Sequence, residues 1–186
     1  MSGSRIVRTL CLVACVFVAG VGCGKEDSIT GPRPNPGYLA LTSPENTLVT
    51  MIRAYAKRDT AELALVYDDA YQGTSLDADD WSPETLTFTK RDEIEHVATL
   101  ARTASVASVA VSLNPVLRRY SDGADPAGWA TLENPIRAVE ITDGPTLYNV
   151  YLSYETVTYT FVPTTPDASS PTDTTWKIIR WTEVAF

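Results

Sequence analysis

The stretch SPENTLVTMIRAYAKRDTAELALVYDDAY, residues 43–71, reads as two helices joined by a sharp turn. Ser43 offers a capping hydroxyl, Pro44 a first-turn residue whose missing amide hydrogen is not needed, and Glu45 an acid at the positive end of the helix dipole. Leu48, Ile52 and Tyr55 then recur at helical spacing, flanked by Val49 and Ala56. Arg53, Lys57 and Arg58 fall off that stripe or in the last turn, where cations oppose the dipole. Asp59-Thr60-Ala61-Glu62 has capping-box form and starts a second helix. Its stripe of Leu63, Val66, Tyr67 and Ala70 runs to Tyr71-Gln72-Gly73. A third start, Thr89-Lys90-Arg91-Asp92, leads into Ile94, Val97, Ala98 and Ala101.

After Thr103 the apolar period changes from helical to alternating. Val109, Val111 and Leu113 alternate with Ala110 and Ser112. PIRAVEIT (135–142) and TLYNVYLSYETVTYTFV (146–162) are rich in β-branched and aromatic residues. Pro163 to Thr175 is a loop of Pro, Ser, Thr and Asp, and Trp176-Lys177-Ile178-Ile179-Arg180-Trp181 follows as a strand with bulky residues on both faces. Helices first and antiparallel strands later predict an α+β fold with the sheet wrapped over the helices.

The opening of the chain has another character. Arg5 and Arg8 precede Leu10–Gly22, an uncharged run of 13 apolar and small residues, the length of a signal-peptide core and short of the ~20 residues a spanning helix needs. Ala19-Gly20-Val21-Gly22-Cys23 resembles the lipobox of bacterial lipoproteins, with Gly20 where leucine is usual. The resemblance implies cleavage after residue 22, acyl chains on Cys23 and anchoring in the bacterial cell envelope. Two or more chains hold firmly where one is marginal. Gly24 beside the cysteine favours the outer membrane by the same resemblance. Residues 24–41 hold three prolines and three glycines without apolar period, which reads as an extended tether. The expected organisation is thus signal peptide 1–22, lipidated N-terminus and tether 23–41, and one domain over 42–186.

Composition narrows the function classes. The chain has 186 residues, 44% of them hydrophobic, enough for one packed core. A net charge of −8 argues against a nucleic-acid binder, which draws its affinity from a basic face. Loss of residues 1–22 would remove Arg5 and Arg8 and no acid, leaving −10. All three cysteines lie at Cys11, Cys15 and Cys23, so the domain forms no internal disulfide. With one histidine, no metal or other cofactor is expected.

The first-helix, turn and second-helix pattern, Tyr67-Asp68-Asp69 and the closing Trp176–Trp181 strand together resemble the nuclear transport factor 2-like, or SnoaL-like, superfamily. That resemblance implies a cystatin-like cone: a curved antiparallel sheet packed on a long N-terminal helix with two shorter helices. Its members include isomerases, dehydratases, hydrolases and non-catalytic binding domains, so the fold decides no activity. Aligned on the Arg58-Asp59 turn, the isomerase tyrosine falls at Met51 and the general base near Thr74. Neither can abstract a proton α to a carbonyl, and no catalytic residue is expected.

The remaining candidates are few. His96 lies about 200° from Ile94 on the helical wheel, away from the apolar face, and reads as a surface residue. Asp77, Asp79 and Asp80 lack the glycine and glutamate of a calcium loop, since Ser82 and Phe88 hold those places. Ser121-Asp122-Gly123-Ala124-Asp125-Pro126 reads as turn chemistry. Tyr55 and Tyr67 sit on inward stripes and need hydrogen-bond partners; they read first as packed core aromatics with satisfied hydroxyls, and otherwise as lining the mouth of the cone with Glu140 or Tyr154 as polar partners. The leading expectation is a lipid-anchored, non-catalytic domain binding a small apolar ligand or a partner, with no nucleic acid. The alternatives are a small-molecule isomerase, dehydratase or hydrolase, and a homodimer paired through Tyr151, Tyr159, Phe161 and the tryptophans.

Overall fold

The first helix forms as its capping signals predict. The computed structural model describes residues 37–77, 84–152, 155–164 and 174–185. Helix α1 (Pro44–Lys57) starts at Ser43, whose hydroxyl accepts the Asn46 amide at 3.1 Å. Leu48, Met51, Ile52 and Ala54 are buried, as are Thr47 and Thr50. Both threonines escape the penalty of a buried unpaired hydroxyl by bonding backbone: Thr47 to Ser43 and Trp176, Thr50 to Leu39. The helix stops at Arg58, left-handed at φ 57°.

Packing begins before the expected boundary at Thr42. Tyr38, placed in the tether by sequence, is buried, and its hydroxyl donates to Asp59 at 3.0 Å. Burial and the Asp59 carboxylate push that phenol up to about 12. Tyr38–Phe186 forms one compact unit.

Helix α2 (Thr60–Val66) is capped by Asp59, which accepts the Ala61 and Glu62 amides at 3.1 and 3.0 Å. It ends at Val66, short of the predicted end at Tyr71-Gln72-Gly73. Tyr67 is already extended and opens strand β1 (Tyr67–Asp77). Two causes combine. Asp68 turns the chain locally by accepting the Ala70 amide at 2.9 Å, a bond that competes with helix. Tyr67 and residues 72–77 then pair in parallel with β9 (Thr175–Ala185). After β2 (Glu84–Thr89), helix α3 (Lys90–Arg102) begins with the full reciprocal capping box of Thr89 and Asp92.

The later strands are β3 (Val106–Leu113), β4 (Arg118–Tyr120), β5 (Ala130–Glu133), β6 (Ile136–Asp143), β7 (Thr146–Tyr151) and β8 (Glu155–Thr164). They form a six-stranded sheet of order β2-β1-β9-β8-β5-β4 and a three-stranded sheet of order β3-β6-β7. The stretch 146–162 therefore divides between two sheets. The β1/β9 pair runs parallel, so the larger sheet is mixed where the sequence implied antiparallel pairs only. Helix α1 contacts β3 of the small sheet and β5 and β9 of the large one, giving the α+β cone with the long helix inside.

Register sorts the large sheet into two chemistries. Leu132, Tyr159, Trp181, Gly73 and Phe88 align across five strands on the inner face. One residue along, Thr131, Thr160, Arg180, Gln72 and Thr89 align on the outer face. Gly73 is required by close approach: a Cβ there would lie 2.8 Å from the Tyr71 hydroxyl and 3.0 Å from the Trp181 ring. Tyr159 and Phe161, expected to offer apolar area to a homodimer, lie in the core at 8% and 0% exposure.

Candidate functional site

Four tyrosines from three elements converge on one acid of a fourth. Tyr55 comes from the last turn of α1, Tyr67 and Tyr71 from β1, Tyr159 from β8, and Glu93 from the first turns of α3. The Tyr71 hydroxyl donates to Glu93 Oε1 at 2.9 Å, and the Tyr55 hydroxyl donates to Oε2 in a short hydrogen bond. The Tyr67 and Tyr71 rings pack tilted with centroids 4.4 Å apart. The Tyr67 hydroxyl lies 3.5 Å from the Met51 sulfur, a weak acceptor. Tyr67 and Tyr71 are buried, whereas Tyr55 and Glu93 are half-buried and form the open edge of the cluster.

Electrostatics follow from that geometry. Burial, then the Glu93 charge, pushes the phenols of Tyr55, Tyr67, Tyr71 and Tyr159 well above their ordinary value. All four phenols keep their protons at physiological pH. Glu93 has both oxygens engaged by phenols, which makes it an anchor for two hydroxyls that burial would otherwise penalise.

The expected site residues are partly brought together. Tyr55 and Tyr67 join the cluster. Glu140 does not: it lies on β6 in the small sheet and accepts from Asn149 at 3.2 Å. Tyr154 and Cys23 lie outside the described residues, as do Asp79 and Asp80. His96 is exposed and meets the Tyr55 ring edge-on at 6.2 Å. Met51 is buried at 3% exposure, and Thr74 pairs with Thr182 on the outer face. Glu93 escaped the sequence reading because it directly follows the capping Asp92 and passes for another first-turn acid. The available signal was its spacing four residues before Val97, which puts it over the buried face of α3. Among the described residues no cluster of His, Cys, Asp or Glu is placed to hold a metal, and no helix is long and apolar enough to cross a membrane.

Two solved structures share this architecture. An NTF2-like protein of unknown function in nutrient uptake from Rhodospirillum rubrum superposes with a TM-score of 0.52 at 12% identity, over 77% of this chain and 98% of its own. The fold is nuclear transport factor 2-like. A conserved protein from Planctomyces limnophilus gives a TM-score of 0.51 at 11% identity, over 75% of this chain and 91% of its own. At such identities the likeness concerns the fold alone. Neither a family model nor a curated protein matches the sequence. Within this NTF2-like cone, the tyrosine and glutamate cluster fills the angle between the helices and the inner sheet face.

Proposed function

We propose that this chain is an envelope lipoprotein, anchored through Cys23, whose NTF2-like domain binds a small apolar ligand or a partner without transforming it. The observation that supports the non-catalytic reading is the state of Glu93: each of its oxygens already accepts a phenol hydroxyl, from Tyr55 and Tyr71, which ties the acid of the cluster to the protein's own side chains. Ligand entry beside half-buried Tyr55 would meet aromatic edges and one hydrogen-bonding pair, the mix of apolar wall and few polar anchors that small-molecule sites use. The anchor rests on the lipobox resemblance, the proline-rich tether and the acidic domain, which suits a body held off an anionic surface.

Thermal-shift screening of the full chain in detergent tests the binding. A specific ligand raises the melting temperature by mass action, and Tyr55→Phe reduces that rise. A ligand whose shift is indifferent to Tyr55→Phe binds elsewhere and removes the reading. Cell fractionation tests the anchor: Cys23→Ala moves the protein out of the membrane fraction, and retention there counts against lipidation. A second reading, an isomerase, dehydratase or hydrolase, draws on the Tyr71–Glu93 pair at 2.9 Å. Turnover of a bound ligand that Glu93→Gln abolishes would replace the binding reading with that one.

A further inference from the structure

We propose that a cleft on the outer face of the six-stranded sheet, across the sheet from the tyrosine cluster, is a binding site for a neutral, hydroxyl-rich ligand of the saccharide class. The floor is set by register. Thr131, Thr160 and Arg180 align across β5, β8 and β9, with Thr158 and Thr182 paired in the next row of the same face. A threonine-rich face is what a solvated strand surface ordinarily carries, because threonine combines strand propensity with a wettable hydroxyl. This face differs in being walled. The 121–129 connection folds over it and is clasped by Asp125, whose two carboxylate oxygens accept from Arg180 Nη2 at 2.8 and 2.7 Å. The Asp125 side chain is 7% exposed, and Thr131 and Thr160 are buried beneath the wall and bonded to one another at 3.2 Å.

The cleft between wall and floor, open on one side to solvent, has a volume of about 310 Å³, at the lower end of small-molecule sites. Its hydrogen-bonding capacity is only partly used. All the Arg180 bonds described run through Nη2, to Asp125 and Thr160, and among the described residues its Nε and Nη1 have no partner. The Thr158 and Thr182 hydroxyls, also on the lining, likewise have none among the described residues. Threonine hydroxyls both donate and accept, and so does each hydroxyl of a polyol, whereas phosphate or carboxylate only accepts. Asp122 and Asp125 outnumber Arg180 on the lining, which opposes an anion, while Arg180 opposes a cation. Tyr120, 42% exposed at the edge, supplies a ring for the apolar face of a sugar.

Calorimetric titration of the full chain in detergent with maltose, with N,N′-diacetylchitobiose and with inorganic phosphate tests the assignment. At least one disaccharide is expected to bind saturably. The double variant Thr158→Val and Thr182→Val keeps the side-chain shape and removes both hydroxyls, and should weaken binding roughly tenfold or more. The corresponding serine pair should retain it. Tyr120→Ala, a change at an exposed position that folding tolerates, should weaken the same titration several-fold even where the valine pair proves unstable. The proposal is overturned if neither disaccharide binds at millimolar concentration, or if binding ignores both Tyr120→Ala and the valine pair. It is equally overturned if phosphate binds at these residues in preference to the sugars.

Discussion

On the inner face of the six-stranded sheet Leu132, Tyr159, Trp181 and Phe88 stand in one row against the helices. One residue along the same strands, Thr131, Thr160 and Arg180 stand in a row beneath the 121–129 connection. The inner row is mostly aromatic and the outer mostly β-branched, both strand-favouring types, so strand propensity does not separate them. Polarity does, through a side-chain period of two that a slip of one residue would invert. The faces also handle buried polar groups differently. On the inner side the Glu93 carboxylate is surrounded by neutral phenols, while the outer face pairs charge with charge at Arg180 and Asp125.

If the inner face is the stabilising one, Phe161→Ala should cost about 3–5 kcal/mol in urea unfolding, as for any large side chain deleted from a sealed core. A loss under 1 kcal/mol would mean that face is loosely packed. Glu93→Leu leaves the Tyr55 and Tyr71 hydroxyls without acceptors and should cost about 1–3 kcal/mol for each. Glu93→Gln keeps an acceptor and should cost less. The same cluster fixes the alkaline limit. Tyr67, Tyr71 and Tyr159 hold their protons in the folded chain above the unfolded phenol value, so their contribution is complete below about pH 10. It is lost as the pH rises further, at about 1.4 kcal/mol per pH unit for each. Tyrosinate absorbance from these three should therefore appear together with loss of helical circular dichroism. A separate, earlier rise would contradict their burial. Gly73→Ala forces a methyl toward the Tyr71 hydroxyl and the Trp181 ring and should cost about 1–3 kcal/mol. On the outer face Thr87→Val, at an exposed position of β2, should change stability by no more than about 0.5 kcal/mol. A large loss there would show that the face is covered in solution.

Legibility in the sequence followed the range of each interaction. The helix starts at Ser43, Asp59 and Thr89 were readable because each cap satisfies amides two or three residues away. The Val109, Val111 and Leu113 alternation was readable for the same local reason. The end of α2 was not. Tyr67 and Ala70 continue a good helical stripe, and the Asp68–Ala70 bond together with pairing to β9, more than 100 residues later, turns this stretch into strand. Glu93 was missed because a first-turn acid ordinarily faces solvent. Its role depends on where Tyr55 and Tyr71 arrive from other elements. The pair Tyr55 and Tyr67 was found because buried phenols demand partners, yet which partner they take is a tertiary fact.

The position of β9 has a consequence for how the chain matures. This strand lies between β1 and β8, so the hairpin from the early part of the chain and the one from the later part share no ladder until residues 175–185 arrive between them. Until translation delivers that segment, two unpaired strand edges wait, the condition that invites aggregation. Such non-local closure is slow. A ribosome-stalled or truncated chain lacking residues 175–185 would therefore present chaperones with open edges in place of a partly stable domain.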